Sequence, residues 1–394
     1  MKIAFVVQRY GLDVIGGAEM ISRQIATHLS RYHTIEVITT CAKDYVTWNN
    51  EYPEGTEQVD GITVRRFRND YPRNLERFGK LSDMLSKSHS REDELEWMKT
   101  QGPYSTGLLE FLERNKQSYD MVVFFTYLYC TTYFGLPIVR DRSVLVPTAH
   151  DEPWIHMPLF DEVFHLPKGF MYLTEEEERF VNQRFRNRHV PSAVVGVGID
   201  EVKDPDAVRF REKYEIGEKF ILYRGRIDTF KGCPELVKYF QRYKRRAVSD
   251  LKLVLDGPLI MEAPDDRDIV CPGPLNRTDT FDALCASELT VMPSRLESLS
   301  LATLEGWKLG KPALVNGHSA VLRGHCLRSN GGLYYRNYDE FAECLDLLTS
   351  DPQLARQLGE NGRKYVAENY SWNVVEKKYL SFLDQVSAMM QKPD

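Results

Sequence analysis

Two glutamates stand eight residues apart in Glu297-Ser298-Leu299-Ser300-Leu301-Ala302-Thr303-Leu304-Glu305. On one continuous helix, eight steps would leave their carboxylates about 80° out of line and about 12 Å apart along the axis, too far to share a contact. A better arrangement puts Glu297 in a strand-to-helix loop and Glu305 two turns into the following helix. Ser298, Leu299, Ser300 and Leu301 would then offer N–H groups at a helix N-terminus, where anions bind. The flanking carboxylates could accept hydrogen bonds from hydroxyls. A phosphate with a sugar on each side suits that set of groups.

Three other stretches carry potential chemistry. In Tyr223-Arg224-Gly225-Arg226-Ile227-Asp228-Thr229-Phe230-Lys231-Gly232 a strand ends and two cations, Arg226 and Lys231, project from the loop. Fixed cations there suit a diphosphate and would stabilise the charge that develops when it departs. Gly16-Gly17-Ala18-Glu19 places paired glycines at a helix start, where a ligand can approach backbone amides. It is neither G-x-G-x-x-G nor a P-loop. His150-Asp151-Glu152 follows an apolar strand. Taken singly, each stretch is more simply a solvated charge, a flexible turn or a structural histidine. Their shared position is more informative: each falls at the C-terminal end of a predicted strand, two in each half of the chain.

The elements that must hold these loops are short Val-, Ile- and Phe-rich runs alternating with amphipathic segments. Strands are expected at 2–7, 34–39, 119–125, 143–147, 169–173 and 190–197, with a helix over 18–30. The pattern restarts with strands at 219–223, 251–255, 289–292 and 312–315 and helices at 232–243, 277–287 and 300–309. Buried strands separated by helices argue for parallel sheets covered on both faces. The expected fold class is α/β: two Rossmann-like, doubly wound domains facing an interdomain cleft, with the boundary in the Gly-, Pro- and charge-rich segment 196–205.

Composition sets outer limits. The chain has 394 residues, 42% of them hydrophobic and 27% charged, with a net charge of −6. That size suits two domains. The charge argues against broad nucleic-acid binding. No run reaches about 18 apolar residues, so no membrane span is expected, and the opening MKIAFVV is too short for a signal peptide. Seven scattered cysteines without a C-x-x-C pair suggest neither a zinc knuckle nor a redox dithiol, and fit a reducing cytoplasm.

In order and spacing these motifs resemble a retaining glycosyltransferase of the GT-B fold, family 4 (glycosyl transferases group 1). The resemblance runs from Gly16-Gly17-Ala18-Glu19 through His150-Asp151 and Gly198-Ile199-Asp200 to Gly225-Arg226…Lys231-Gly232. It continues through Asp256-Gly257-Pro258, Glu297…Glu305, Leu309-Gly310-Lys311-Pro312, Gly331-Gly332-Leu333, Asn361-Gly362-Arg363 and Tyr370-Ser371-Trp372. It implies an acceptor-side domain at 1–200, a nucleotide-sugar domain at 201–371 and a final helix, 372–394, crossing back to the first domain. Arg226 and Lys231 would hold the donor diphosphate and Glu305 the ribose hydroxyls. Glu297 would touch the transferred sugar, and the amides of Ser298, Leu299, Ser300 and Leu301 the sugar and phosphate. Gly16 and Gly17 would close over the diphosphate, His150 would sit near the sugar, and Pro272 and Gly273 belong to the wall expected beside the base. Neither metal nor cofactor is implied.

The donor implied is a nucleoside-diphosphate sugar, with UDP favoured on frequency alone. The acceptor implied is a saccharide or lipid-linked saccharide in cell-surface or exopolysaccharide biosynthesis. Ser300, Gly306-Trp307-Lys308 and Asn316-Gly317-His318-Ser319 depart from the family pattern around the sugar. The alternatives are a GT-B-fold nucleotide-sugar epimerase, a phosphorylase, a non-enzymatic nucleotide-sugar-binding protein and a transferase fold without activity. The basic, aromatic stretch from Arg65 to Lys80 lies outside the pattern. It suggests a peripheral contact with an anionic membrane surface or a lipid-diphosphate acceptor, at the inner face of the membrane of an otherwise cytoplasmic protein.

Overall fold

The computed structural model describes residues 1–246 and 249–391. Contacts divide the chain into two compact units. One contains Met1–Val197 and takes up the chain again from Val375; the other is Gly198–Val374.

The first unit is built on eight strands: β1 (Lys2–Val6), β2 (Thr34–Thr40), β3 (Gly55–Val59), β4 (Ile62–Phe67), β5 (Met121–Phe125), β6 (Ser143–Val146), β7 (Gly169–Tyr172) and β8 (Ser192–Val194). Their order is β3-β4-β2-β1-β5-β6-β7-β8. Only the edge pair β3–β4 is antiparallel. Every residue of β5, β6 and β7 is buried, as a parallel sheet covered on both faces requires.

The second unit carries six parallel strands: β9 (Phe220–Arg224), β10 (Lys252–Asp256), β11 (Ile269–Gly273), β12 (Leu289–Met292), β13 (Ala313–Asn316) and β14 (Gly332–Tyr335), in the order β11-β10-β9-β12-β13-β14. In both sheets the strand order reverses, between β1 and β5 and between β9 and β12. Loops leaving two such neighbours diverge and open a crevice at the carboxyl edge, where ligands of doubly wound sheets bind.

The helix Trp372–Met390 packs onto the first unit from Val375 onward. Tyr379 Oη donates to the Gly196 carbonyl at 3.0 Å. Phe382 and Val386 lie so close to Gly169 that a Cβ there would meet them at 2.9 and 3.0 Å. The carboxylate of Glu376 accepts from Tyr32 Oη at 2.9 Å and lies 2.6 Å from His28 Nδ1.

Four strands, β3, β4, β11 and β14, escaped the hydropathy pattern, β4 and β11 for identifiable reasons. In β4 the inward positions are Ile62, Val64 and Arg66, and the arginine breaks the apolar alternation. Arg66 is buried because its guanidinium donates to Glu57 Oε1 at 2.5 Å and to the Tyr10 carbonyl at 2.7 Å. β11 contains Pro272-Gly273, a turn signal that a strand tolerates only at an edge, and β11 is an edge.

The stretch from Arg65 to Lys80 therefore splits into the end of β4, a loop and the helix Leu75–Leu85. Three of its six cations, Arg65, Arg66 and Arg73, serve the fold. Arg65 pairs with Glu36. Arg73 donates to the Gln101 carbonyl at 2.9 Å and stacks on Trp48 and Phe78. Arg77 and Lys80 stay on the surface, paired with Glu96 and Glu76.

Candidate functional site

In the second unit, the loops after β9 and β12 flank the reversal point and carry the candidate residues. Lys231 Nζ donates to Glu297 Oε1 at 2.7 Å. Asp228 ties the β9 loop together: its Oδ1 accepts the Lys231 backbone N–H at 2.7 Å, and its Oδ2 lies 3.3 Å from Arg226 Nε. Asp228 is buried, so the loop is braced from beneath and presents its cations from a fixed base. Gly225 and Gly257 bring the ends of β9 and β10 together. A Cβ on Gly257 would stand 1.9 Å from the Gly225 carbonyl oxygen, and both residues have positive φ.

The helix after β12 is Leu301–Lys308, so Glu305 lies little more than one turn into it, a turn earlier than the sequence pattern suggested. Its first ladder bond runs from the Leu304 N–H to the Ser300 carbonyl, so the N–H groups of Leu301, Ala302 and Thr303 lie above the ladder. Ser300 caps this end at φ 70°, a left-handed conformation for which glycine is the default residue. Its Oγ is 3.0 Å from Thr303 Oγ1. The same loop is tied down from behind: the Leu299 carbonyl lies 2.9 Å from buried His325 Nε2, and Asn316 Nδ2 donates to the Pro293 carbonyl at 2.9 Å.

Glu305 is buried and its Oε2 is held by Arg224, the last residue of β9. Pro272 and Gly273 end β11, where the Gly273 carbonyl accepts the Gly257 N–H at 3.3 Å. Other family-like motifs prove to be packing. Gly331 and Gly362 clear space for the Trp307 indole, which donates to the Gly331 carbonyl at 2.7 Å.

In the first unit the glycine pair opens the helix Gly17–Leu29. Its anchor is a buried pair that sequence reading did not identify: Arg9 donates to Glu19 Oε1 through Nε at 2.9 Å and Nη2 at 2.6 Å. The two glycines differ. A Cβ on Gly16 would stand 2.1 Å from Glu19 Oε2, whereas one on Gly17 would meet nothing within 4 Å. Gly16→Ala is therefore expected to cost about 1–3 kcal/mol of stability through overpacking, and Gly17→Ala almost none. Thermal melts separate the two. If the loop closes over a ligand, Gly17→Ala will lower turnover at an unchanged melting temperature.

His150 follows β6. Its Nδ1 is buried, makes no hydrogen bond and lies 3.7 Å from Glu152 Oε1. Glu152 Oε1 in turn accepts from buried Tyr127 Oη at 2.6 Å. Asp151 points elsewhere, to His156 Nε2 at 2.7 Å. Thr126, directly after β5, and Thr148, two residues after β6, both have positive φ, a costly conformation for a β-branched residue that marks functional loops more often than ordinary turns.

Beneath this loop lies fully buried Glu177, a second residue without a signal in the sequence. Its two oxygens accept the N–H groups of Ala149 at 2.6 Å and Leu173 at 2.7 Å. Burial, only partly offset by those bonds, pushes its carboxyl up to about 8. A folded pKa above the unfolded one means that the folded state holds the extra proton between the two values. The contribution is complete below the ordinary carboxylate range and is lost as pH rises to about 8. Urea-unfolding free energy should thus fall over that window by up to about 1.4 kcal/mol per pH unit from this group. Glu177→Gln should flatten the slope; an unchanged slope would place the proton elsewhere.

Comparison with known proteins adds an independent line. Residues 206–365 match the family model described as glycosyl transferases group 1. Over 191 residues the chain is 27% identical to alpha-D-kanosaminyltransferase of Streptomyces kanamyceticus, covering 44% of this chain and 48% of that protein. It spans about half the length of the curated relatives that it matches first. Sucrose-phosphate synthase from Thermosynechococcus elongatus matches 98% of this chain and 99% of its own, at 15% identity and a TM-score of 0.73. Anabaena HepE, solved in complex with UDP and glucose, matches 98% of this chain and 100% of its own, at 14% identity and a TM-score of 0.70. At such identities structural likeness speaks for the fold alone. Two Rossmann-like parallel sheets in tandem are the GT-B fold, and the glycosyl transferases group 1 match lies wholly within the unit that carries Lys231, Glu297 and Glu305.

Proposed function

We propose that the protein is a retaining, family 4 glycosyltransferase that moves a hexosyl unit from a nucleoside-diphosphate sugar to a saccharide or lipid-linked saccharide acceptor, in cell-surface or exopolysaccharide biosynthesis. The observation that carries this reading is the Lys231–Glu297 pair at the reversal point of the second sheet, beside a helix N-terminus and a buried Glu305. The second unit takes the donor and the first the acceptor. UDP is favoured on frequency; HepE, a structure of the same fold, was solved with UDP and glucose.

The chemistry follows from the groups present. The donor diphosphate replaces Glu297 as the partner of Lys231 and meets Arg226. As the sugar–phosphate bond breaks, both cations stabilise the charge gathering on the leaving oxygen. Released from Lys231, Glu297 accepts hydrogen bonds from the sugar hydroxyls. The acceptor hydroxyl attacks the face from which the diphosphate leaves and passes its proton to the departing phosphate oxygen, so the glycosidic bond forms as the sugar–phosphate bond breaks and the anomeric configuration is retained. In this scheme the first unit's His150 is assigned to the acceptor side of the sugar and Gly16-Gly17 to the diphosphate. Metal and cofactor have no part in this scheme.

Calorimetry with UDP-, GDP- and ADP-sugars tests the donor, and NMR of the product's anomeric proton tests retention; an inverted product would refute the mechanism. Donor consumption without an acceptor would favour an epimerase. Among the described residues no helix is long and apolar enough to cross a membrane. Peripheral attachment rests on exposed Tyr71, Leu75, Arg77 and Lys80. Liposome sedimentation that is unchanged by Arg77→Glu with Lys80→Glu would remove that part of the proposal.

A further inference from the structure

We propose that Arg224 is a positioning residue that makes Glu305 selective for a ribose diol, a role that rests on the nucleotide-sugar reading above. Arg224 was not among the residues that the motifs singled out. It ends β9 beneath the crevice, with Nε 3.5 Å from Asp256 Oδ2 and Nη1 on Glu305 Oε2. Both carboxylates are buried, at 3% and 5% exposure. Asp256 Oδ1 accepts the Leu275 N–H at 3.0 Å, while its Oδ2 has no hydrogen bond. Oε1 of Glu305 has no partner among the described residues.

Burial raises the Asp256 carboxyl, and the Arg224 guanidinium beside it works against that rise. The same guanidinium supplies a positive partner to the buried Glu305 carboxylate. An ionised carboxylate only accepts hydrogen bonds, which is what two adjacent hydroxyl donors require; a protonated one would compete as a donor. Arg224 also pins Oε2, so Oε1 is presented in one orientation and the second lone pair of Oε2 stays available. The planar, forked guanidinium spans two acids at fixed geometry, which the point charge of a lysine does less well. Arg224 therefore acts through Glu305 and does not itself touch the donor.

The alternative is that Arg224 is a third cation for the diphosphate, and the two roles separate in one experiment. Titration calorimetry on the full chain compares UDP with 2′-deoxy-UDP, and GDP and ADP with their 2′-deoxy forms. Wild type is expected to prefer the ribose form about tenfold or more, the loss of one hydrogen bond to a charged group. Arg224→Met should weaken ribose-form binding about tenfold and shrink the preference to within about twofold, with Arg224→Lys in between. Equal weakening of both forms, with the preference intact, would overturn the proposal in favour of a phosphate contact. Wild type that shows no preference would instead overturn the ribose role of Glu305 and the reading beneath it. Thermal melts verify that each variant is folded; should the Met variant fail to fold, Arg224→Lys alone must still narrow the preference for the proposal to stand.

Discussion

Replacing Lys231 with alanine is expected to lower kcat about 10²–10³-fold while changing donor affinity much less, because its charge is needed most when the diphosphate departs. Lys231 is only partly exposed and already paired, through Nζ, with Glu297 at 2.7 Å. On the proposed function, donor binding would exchange one anionic partner for another, and the net gain in the ground state would be small. In the transition state the phosphate oxygen carries more charge than the carboxylate it displaced, and the cation then contributes its full effect. Arg226→Ala should act in the same sense. Lys231→Arg, which preserves the charge, should retain more activity than Lys231→Ala. Steady-state kinetics with separately measured donor Kd distinguishes these outcomes, and wild-type turnover in the alanine variant would refute the leaving-group role.

The second large effect belongs to Glu305, and it should appear in binding. Glu305→Ala is expected to weaken the nucleoside diphosphate by roughly 10–150-fold, the loss of at least one hydrogen bond to a charged group at about 1.5–3 kcal/mol. The substitution also leaves Arg224 with Asp256 alone, 3.5 Å from its Nε. Burial already holds Arg224 below the usual arginine range, so the variant should lose some stability besides affinity. A double-mutant cycle of Glu305→Ala with Arg224→Met separates the two effects: coupling in the binding energy belongs to the site, and coupling in the melting temperature belongs to the fold. Unchanged affinity in the Glu305 variant would remove the ribose assignment.

Much of the framework was legible because burial leaves a simple trace. Strands covered on both faces read as continuous apolar runs, and β1, β5, β6 and β7 follow that rule. Some of the elements that escaped have local reasons to break it. Arg66 faces inward in β4 because Glu57 and the Tyr10 carbonyl satisfy it there. Edge strand β11 accommodates a proline. The helix bearing Glu305 begins at Leu301 because Ser300 takes a left-handed conformation, and nothing in a serine announces that.

The candidate site divides along the same line. Residue type and position at strand ends were enough to single out Lys231, Arg226, Glu297, Glu305 and His150, because such loops must surface at the carboxyl edge of a doubly wound sheet. Pairing was not legible, since it depends on distances between residues remote in the chain. Lys231 and Glu297 are 66 positions apart and Arg224 and Glu305 are 81 apart, yet each pair makes a hydrogen bond. The same holds for Glu152 with Tyr127 and for Glu177 with the backbone of Ala149. By itself the sequence determined the alternation of buried strands and covering helices, and with it the chemistry available at their ends, because hydrophobic periodicity and residue type are local properties. The tertiary structure alone decided which charges are buried, which partner each one holds and which carboxylate oxygen stays available, because those depend on strand order and on long-range packing that no short window of sequence contains.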